Sequence, residues 1–454
     1  MNEGRTFVSA LSFSIPMKQI KEILNIALPA MAENFLQMLM GIVDNYLVAQ
    51  LGILAISGVS VANNIITVYQ AIFIALGAAV TSVVSKSFGE KDASALKNHA
   101  RQAISVTIIL SLVLGLFSLI CGNKILTLLG TETKVSAIGG LYLAIVGGGI
   151  VSLGLMTTLG SLLRAIGKVR FPMYVSLLSN FLNAVLSALA VFVLGWGVLG
   201  VASATVISRL LGTVILMKRL ELKPHHFLPQ FQIDKDLIQI AFPAALERLM
   251  MRAGDIVIIA IIVKFGTKIV AGNAIGEVLT QFNYMPGFGV ATASVMLTAY
   301  YFGQGNPAEI KKSVQSTYYI SVLLMGLVSC SAFLLGHPLG SLFTADKNVL
   351  AASQTVLLFS FLGTPVSAGT LIYTAAWQGL GKARLPFYAT TIGMWLIRIV
   401  LGYFLAVHFH LSLAGVWLAT LADNAFRHLF LYSLYKRYLN DLFSTASSRE
   451  DEKN

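Results

Sequence analysis

Ile26-Ala27-Leu28-Pro29-Ala30-Met31-Ala32-Glu33 is the first of two copies of one pattern in this chain. The second copy is Ile240-Ala241-Phe242-Pro243-Ala244-Ala245-Leu246-Glu247. Each copy runs on to a glycine, and Gly52 and Gly266 have the same separation in sequence as the two prolines and the two glutamates. We call this separation the repeat offset. Both copies place a glutamate inside a long apolar run, so the stretch predicts an internal repeat with ionisable groups in an apolar setting.

The composition of the chain excludes a water-soluble domain. Hydrophobic residues make up 56% of the 454 residues, charged residues 11%, and the mean hydropathy is +0.78. Soluble domains carry about 25% charged residues. One membrane-spanning helix needs about 20 apolar residues, which leaves room for roughly a dozen spans. The apolar runs are long and do not alternate, so they indicate helices and not a barrel.

We predict an all-α integral membrane protein with twelve transmembrane helices. Proline or aspartate precedes the first and seventh of them, at Pro16 and Asp234, as is typical of helix starts. The twelve predicted helices lie at about 20–48, 54–85, 98–120, 135–163, 171–194, 198–218, 235–263, 268–300, 309–335, 349–376, 385–407 and 411–437.

The distribution of basic residues predicts the orientation in the membrane. Of the lysines and arginines in predicted loops and tails, 22 fall on one side and 5 on the other. The basic side of a membrane protein is cytoplasmic, so both termini and the central connector are expected in the cytoplasm of a cell-membrane protein. This asymmetry also accounts for the net charge of +12, and no basic cluster with aromatic residues points to nucleic acid.

Further motifs repeat along the chain. Gly167-Lys168-Val169-Arg170-Phe171-Pro172-Met173-Tyr174 recurs at the repeat offset as Gly381-Lys382-Ala383-Arg384-Leu385-Pro386-Phe387-Tyr388. Gly200-Val201 with Thr205 recurs as Gly415-Val416 with Thr420, one residue out of step. Six helices in each copy give both halves the same orientation. We therefore expect two parallel six-helix bundles related by pseudo-two-fold symmetry about the membrane normal.

This repeat divides the chain into four parts. We predict an N-terminal lobe at 1–218, a cytoplasmic linker at 219–234, a C-terminal lobe at 235–438 and a polar cytoplasmic tail at 439–454. Paired lobes of this kind commonly enclose a cleft that opens alternately to the two sides of the membrane.

The order of these motifs resembles the multidrug and toxic compound extrusion (MATE) family. The resemblance rests on Pro29 in the first span, Val43-Asp44-Asn45 further along it, Leu51-Gly52 and the two Gly-Lys junctions, and it covers essentially the whole chain. It implies a monomeric antiporter that exchanges H⁺ or Na⁺ for organic, mostly cationic and amphipathic compounds. No cofactor is implied.

The N-terminal half contains a candidate site for the coupling cation. Glu33, Gln37, Met40 and Asp44 share one face of the first helix, with the two acids roughly 16 Å apart along it. Asn180, Asn183 and Ser187 share a face of the fifth helix, and Thr205 of the sixth could approach them. We predict that Asp44, Asn180, Asn183, Ser187 and Thr205, with Glu33, form this site.

The coupling ion is open at this stage. A carboxylate in low dielectric takes up a proton readily, and carboxylate and amide oxygens of Asp44 and Asn183 could instead bind Na⁺. Related family members carry an aspartate where this chain has Ser187, so one carboxylate is missing here. The alternative interpretation is that Asp44 and Asn183 only join two helices by hydrogen bonds.

The C-terminal half contains candidate substrate-binding residues. Asn273, Glu277 and Tyr284 share one face of the eighth helix. We expect them to line the cleft with Glu247, Gln37 and Met40 and to attract a cationic substrate. Some members of the family carry their seventh-helix acid one turn beyond Glu247, where this chain has Met251.

The buried arginines suggest ion pairs as the alternative to a binding role. Glu247 could pair with Arg248, Arg252 or another buried arginine. Arg252 and Asp255, one helical turn apart, are expected to pair within their helix. Arg398 and Asp423 are expected to pair between the last two helices.

Two other functions compete with the drug antiporter. A lipid-linked oligosaccharide flippase of related two-lobed architecture would need a strongly basic cleft, but Glu33, Asp44, Glu247, Asp255 and Glu277 offset the arginines. A membrane-embedded enzyme would need a catalytic cluster. The chain has no Gly-Lys-Ser/Thr phosphate loop, no nucleophile elbow and no HExxH motif.

Overall fold

The computed structural model describes residues 17–128, 130–221 and 235–451, so the predicted N-terminal segment 1–16 and most of the predicted linker lie outside the described residues. The described part is helical and contains no β-strand. Three segments are π-helical: Leu143–Gly147, Ile392–Leu401 and Phe404–His408. The α-helices are α1 (Met17–Ala49), α2 (Ile53–Gly89), α3 (Ala93–Leu128), α4 (Thr133–Tyr142), α5 (Val151–Ala165), α6 (Arg170–Phe192), α7 (Gly197–Arg219), α8 (Lys235–Val263), α9 (Thr267–Gly303), α10 (Pro307–Leu334), α11 (Gly336–Ser341), α12 (Lys347–Leu362), α13 (Thr364–Gly379), α14 (Arg384–Thr391) and α15 (Ser412–Asp451).

Seven helices of the described chain are long and apolar enough to cross a membrane, or nine units if each bent pair is one span. The bent pairs are α4 with α5 and α12 with α13. Three further long helices, α8, α9 and α15, have 29, 37 and 40 residues. The fold is thus all-helical and membrane-spanning, while the count of twelve spans stays a prediction.

The helix boundaries repeat at the offset seen in the sequence. The starts of α2, α3, α4 and α6 recur at the repeat offset as the starts of α9, α10, α12 and α14. The start of α7 at Gly197 recurs at Ser412 of α15, one position later than the repeat offset requires. The one-residue slip of the sequence motif is therefore also a slip of the helices.

Two predicted helices, 135–163 and 349–376, are each broken by a bend that we did not predict. The axis turns by 41° between α4 and α5 and by 58° between α12 and α13. The first break follows Gly147 and contains Gly148 and Gly149. The second contains Gly363, the counterpart of Gly149, and Pro365 follows it. Glycine lowers the cost of an irregular backbone, and proline cannot donate the helical hydrogen bond.

The last helix is longer than predicted. The last helix, α15, continues through the predicted tail start at 439 as far as Asp451. The predicted helix ended at 437, but Leu439, Leu442 and Phe443 continue the apolar pattern beyond it. A helix that is already nucleated is extended at little cost, so the polar residues that follow can remain helical.

Where the two halves of the chain meet, the first helix of each half packs against the second helix of the other half. Helix α1 packs against α9, and α8 packs against α2. One buried cluster joins Leu237 and Ile240 of α8 to residues of the N-terminal half, and another joins Ile23 and Ile26 of α1 to the C-terminal half. The Glu22 carboxylate also accepts a hydrogen bond of 3.1 Å from the Tyr301 hydroxyl.

The ends of α2 and α9 cross at two equivalent glycines. A β-carbon on Gly89 would collide with the carbonyl oxygen of Tyr300, and one on Gly303 would collide with that of Lys86. Tyr300 and Lys86 are themselves related by the repeat offset. The two contacts are equivalent, and α2 and α9 can approach this closely because Gly89 and Gly303 have no β-carbon.

Alanine at Gly89 or Gly303 should force α2 and α9 apart, because the colliding atoms belong to backbone. We expect each variant to lose about 1–3 kcal/mol of stability. Thermal unfolding of the purified chain measures this. Gly326→Ala on α10 is the matched control, since nothing lies within 4 Å of its added β-carbon. Equal melting temperatures of the three variants would contradict the close crossing of α2 and α9.

Candidate functional site

Asp44 lies at the centre of a hydrogen-bonded cluster in the N-terminal half. The Asn183 amide nitrogen on α6 donates to both carboxylate oxygens of Asp44, at 3.1 and 3.2 Å. The Asn183 carbonyl oxygen accepts from the hydroxyls of Ser187 and Thr205, each at 3.3 Å. Three helices thus bring together four of the residues predicted from the sequence.

Asn180 lies on α6 next to this cluster but outside its hydrogen bonds. Its side-chain nitrogen is buried and has no partner among the residues that the structure describes. It therefore leaves an unused donor beside the predicted site.

Three residues near Asp44 were missed as site residues. Arg209 of α7 interacts electrostatically with Asp44 and with Tyr142 of α4, and Tyr142 is hydrogen-bonded to Asn63 of α2. Arg209 follows Thr205 by one helical turn, so the two share a helix face. This four-residue spacing from Thr205 is the sequence signal that would have identified Arg209 as a neighbour of the cluster.

Glu33 does not belong to the Asp44 cluster. Its carboxylate is 2.9 Å from the Arg164 guanidinium and accepts a 3.0 Å hydrogen bond from the Ser176 hydroxyl. Both partners lie within the N-terminal half, and the pair is partly buried. The structure gives Glu33 a fixed countercharge, which we did not predict.

Gln37 and Met40 lie between the two acids on α1, as the helical spacing requires. Gln37 is exposed and Met40 is half-buried. Within the described ranges, no hydrogen bond holds either side chain, so both are accessible on the predicted face.

Glu247 is the counterpart of Glu33, but its surroundings differ. It is buried, and the Thr390 hydroxyl donates to its carboxylate at 3.1 Å. Thr390 is the counterpart of Ser176, whereas the counterpart of Arg164 is Gln378. Arg248 and the buried Arg427 both act on Glu247 electrostatically, but neither forms an ion pair with it among the described residues. The alternative interpretation, pairing with Arg248, Arg252 or another buried arginine, therefore holds only as a weaker electrostatic influence without contact.

A second polar cluster lies in the C-terminal half. Asn273 is hydrogen-bonded to Glu277 and accepts from the Trp417 indole at 3.0 Å. Arg398 acts electrostatically on Glu277 and lies 3.2 Å from Asp255. Two acids therefore share one guanidinium.

Two predicted ion pairs are wrong. Asp255 pairs with Arg398 across two helices, while Arg252 is exposed. Asp423 pairs with Arg427, one turn along its own helix, at 2.9 Å. Sequence spacing identified possible partners, but the rotation of each helix decided which side chains meet.

Tyr284 is half-buried, on the predicted face of α9. Its ring stacks on Phe288, with centroids 6.1 Å apart. It lies two turns from Glu277 and so presents an aromatic surface along the same face.

The π-helical segment after α14 explains the slip in the repeat. Before this segment, Ser176 and Thr390 match at the repeat offset. Within it, Asn183 corresponds to Arg398, one position beyond the repeat offset, and each of the two bonds to the threonine of the next helix, Thr205 or Thr420. A π-helical turn holds one more residue than an α-helical turn. The extra residue thus places a guanidinium, and not the aliphatic side chain that precedes it, opposite the threonine.

Breaking the Asp423–Arg427 pair should destabilise the protein strongly. Asp423 is fully buried and Arg427 is 5% exposed. Asp423→Asn would leave a buried guanidinium uncompensated, which costs about 3–5 kcal/mol. Thermal unfolding measures the loss. The control is Glu309→Gln, which breaks an exposed pair with Lys312 and should cost about 1 kcal/mol or less. A larger loss of stability in Glu309→Gln than in Asp423→Asn would contradict a strong contribution of the buried Asp423–Arg427 pair.

The described residues contain no group of three or more His, Cys, Asp or Glu side chains that could hold a metal ion. The Asp44 cluster supplies one carboxylate, one amide and two hydroxyls.

Comparison with known families gives a match over both halves. The sequence profile of the MatE family matches residues 29–189 and 243–404. A probable multidrug resistance protein NorM of Thermotoga maritima is 28% identical over 417 residues, which cover 90% of each chain. An uncharacterized transporter YisQ of Bacillus subtilis is 23% identical over 437 residues, 93% of this chain and 95% of its own.

Solved structures show the same fold. A MATE transporter in the bent conformation superposes with a TM-score of 0.88, at 20% identity, over 94% of this chain and 97% of its own. A MOP superfamily transporter from Pyrococcus furiosus gives 0.86, at 19% identity, over 93% and 96%.

Proposed function

Because the chain belongs to the MatE family of transporters, we propose that it is a cation-coupled antiporter that exports organic, mostly cationic and amphipathic drugs by alternating access. It is a transporter and not an enzyme. Relatives such as the NorM proteins of Thermotoga maritima and Bradyrhizobium diazoefficiens are named probable multidrug resistance proteins, and these names do not support the flippase alternative. The coupling ion, H⁺ or Na⁺, is a transported substrate, and no cofactor is needed.

The Asp44 cluster carries this proposal. A single carboxylate in the membrane is held by one asparagine, which is held in turn by two hydroxyls on two helices. A bound cation would neutralise Asp44 and weaken its attraction for the Asn183 amide. The packing of α1 against α6 would then change with ion occupancy, which is what coupling requires.

The C-terminal acids support a cationic substrate. Glu247 is buried without the guanidinium that neutralises Glu33. Glu277 and Asp255 share the single charge of Arg398. We propose that the substrate is bound by Glu247, Glu277, Asn273 and Tyr284, with Gln37 and Met40 of α1.

We further propose the predicted architecture of two six-helix lobes, 1–218 and 235–438, joined by a cytoplasmic linker. Seven apolar helices, two bent pairs and three further long helices make twelve units. The recurrence of the helix starts at the repeat offset supports pseudo-two-fold symmetry. The protein would act as a monomer in the cell membrane with both termini in the cytoplasm.

Ethidium accumulation in inverted membrane vesicles tests this function, because the cytoplasmic face of an exporter points outward there. A proton gradient and a sodium gradient are imposed separately, and fluorescence reports dye movement. Dye movement against its gradient under either ion gradient is expected. Movement under neither gradient, with protein present in the membrane, would contradict a cation-coupled antiporter.

A further inference from the structure

Side-chain hydrogen bonds join the two halves of the chain at one end of the helices. The Tyr301 hydroxyl of α9 donates to the carboxylate of Glu22 on α1, at 3.1 and 3.3 Å from its two oxygens. The Ser316 hydroxyl of α10 donates to the side-chain oxygen of Gln19, at 3.2 Å. Gln19 and Glu22 lie in the first two turns of α1, and Tyr301 lies in the last turn of α9. These bonds therefore lie at the end that we propose faces the cytoplasm.

Further close contacts between the halves lie at the same end. The Ser82 hydroxyl of α2 donates to the backbone carbonyl of Gln378 in the last turn of α13, at 2.7 Å. The crossing of α2 and α9 at Gly89 and Gly303 lies there as well. We call these contacts, together with the two hydrogen bonds of α1, the cytoplasmic seal. A compound that enters the cleft from this side can do so only when the seal is broken.

The bond between Glu22 and Tyr301 is not repeated in the other half. Tyr301 corresponds at the repeat offset to Ser87, whose hydroxyl donates to the Val83 carbonyl within α2 at 3.2 Å. The glycine crossing, in contrast, occurs in both copies. Hydrogen bonds to an ionised group are stronger than those between neutral groups, so Glu22 makes the strongest of the three side-chain bonds of the seal.

Other polar groups of the seal would gain hydrogen bonds when it opens. The Gln19 side-chain nitrogen and the Ser313 hydroxyl of α10 are buried and have no hydrogen-bond partner among the described residues. A buried polar group without a partner costs free energy, and water would satisfy it once the halves separate. These two groups favour opening, and the Glu22–Tyr301 bond opposes it.

We propose that Glu22 and Tyr301 form a latch that holds the cytoplasmic seal closed and sets how often the cleft opens to the cytoplasm. This inference rests on the proposed transport function and orientation. Two conformations of a transporter exchange according to their free-energy difference, so a bond present in only one of them controls their populations. The latch acts on access to the cleft and not on the affinity of the cleft for a compound.

Thiol labelling of Ser82→Cys tests this proposal, in a chain that also carries Cys121→Ser and Cys330→Ser. Ser82 is 2% exposed, so a thiol there reacts only when the seal opens. Inverted vesicles are treated with a membrane-impermeant maleimide. Tyr301→Phe and Glu22→Gln should each raise the labelling rate about tenfold, because each removes or weakens a hydrogen bond to a charged group. The rate follows the open population when opening and closing are faster than labelling.

The double variant and two controls locate the effect. Tyr301→Phe combined with Glu22→Gln should label no faster than the faster single variant, since both changes remove one bond. Tyr388→Phe removes an exposed tyrosine hydroxyl of α14 and should label as the parent does. Glu90→Gln removes an exposed carboxylate that pairs with Lys86 in its own half, and should also leave the rate unchanged.

The outcomes separate this inference from the proposed function, because labelling requires no transport. Unchanged labelling in both single variants, with the protein folded, would overturn the latch. Effects that multiply in the double variant would also overturn it, since they would show two independent causes. Raised labelling in both single variants and no ion-driven dye movement by the wild type would support the latch and contradict the antiporter.

Discussion

Asp44→Asn should abolish ion-driven dye export while the protein still inserts and folds. Asparagine has nearly the shape of aspartate and keeps a hydrogen bond to Asn183, but it takes up no proton and has no negative charge to attract a metal cation. The ion gradient is then no longer coupled to the dye, so export should fall to the level of vesicles without the protein. Dye accumulation in inverted vesicles under an imposed gradient, at matched protein levels, measures this loss.

The control for this variant is Asp346→Asn. Asp346 accepts hydrogen bonds from the backbone at the start of α12 and lies 2.7 Å from Lys268, outside the membrane-spanning part. It should export dye as the wild type does. Export by Asp44→Asn at the wild-type rate under every gradient would rule out a coupling role for Asp44.

Glu247→Gln should weaken binding of a cationic dye about tenfold, which corresponds to roughly 1.4 kcal/mol. The buried carboxylate of Glu247 has Thr390 as its hydrogen-bond donor and lacks the guanidinium given to Glu33. Arg248 and Arg427 act on it electrostatically but form no ion pair with it among the described residues, so we expect its negative charge to attract a cationic dye. Fluorescence titration of the purified protein with ethidium measures the change.

The repeat supplies a matched control for Glu247. Glu33→Gln removes the equivalent acid, whose charge Arg164 already compensates. It should bind the dye as the wild type does but melt at a lower temperature, because Arg164 is left unpaired. Gln378→Arg should lower dye affinity by supplying the missing countercharge. Unchanged dye binding by Glu247→Gln at every pH would contradict the assignment.

The sequence alone predicted much of the N-terminal site. Helical spacing fixes which side chains share a face, so Asn183 and Ser187 were placed together, and Asp44 was placed on the face turned to them. The family and the helical membrane fold followed from composition and repeat. These features depend on local geometry and on order along the chain.

Pairing between helices could not be predicted in the same way. Asp255 meets Arg398 and not Arg252, because the α8 helix turns Arg252 outward. Glu33 was predicted to contribute to the same cation site as Asp44, but Arg164 reaches it from another helix. Such contacts depend on the rotation and approach of helices far apart in sequence.

The bends of the two broken helices were signalled by glycines at Gly149 and Gly363. Apolar runs continue through both positions, and hydropathy alone therefore predicts one straight span in each case. The direction in which each half of the span leaves the break depends on its neighbours, which the sequence pattern does not specify.

The extra residue in the π-helical segment after α14 has an evolutionary consequence. Each residue added to a helix turns everything beyond it by about 100°. Without this insertion, an aliphatic side chain would stand where a guanidinium now meets Thr420. A duplicated ancestor could therefore have given its two copies different chemistry through one inserted codon. Deleting one residue from this segment should place an aliphatic side chain opposite Thr420 and restore the repeat offset between the two halves beyond it.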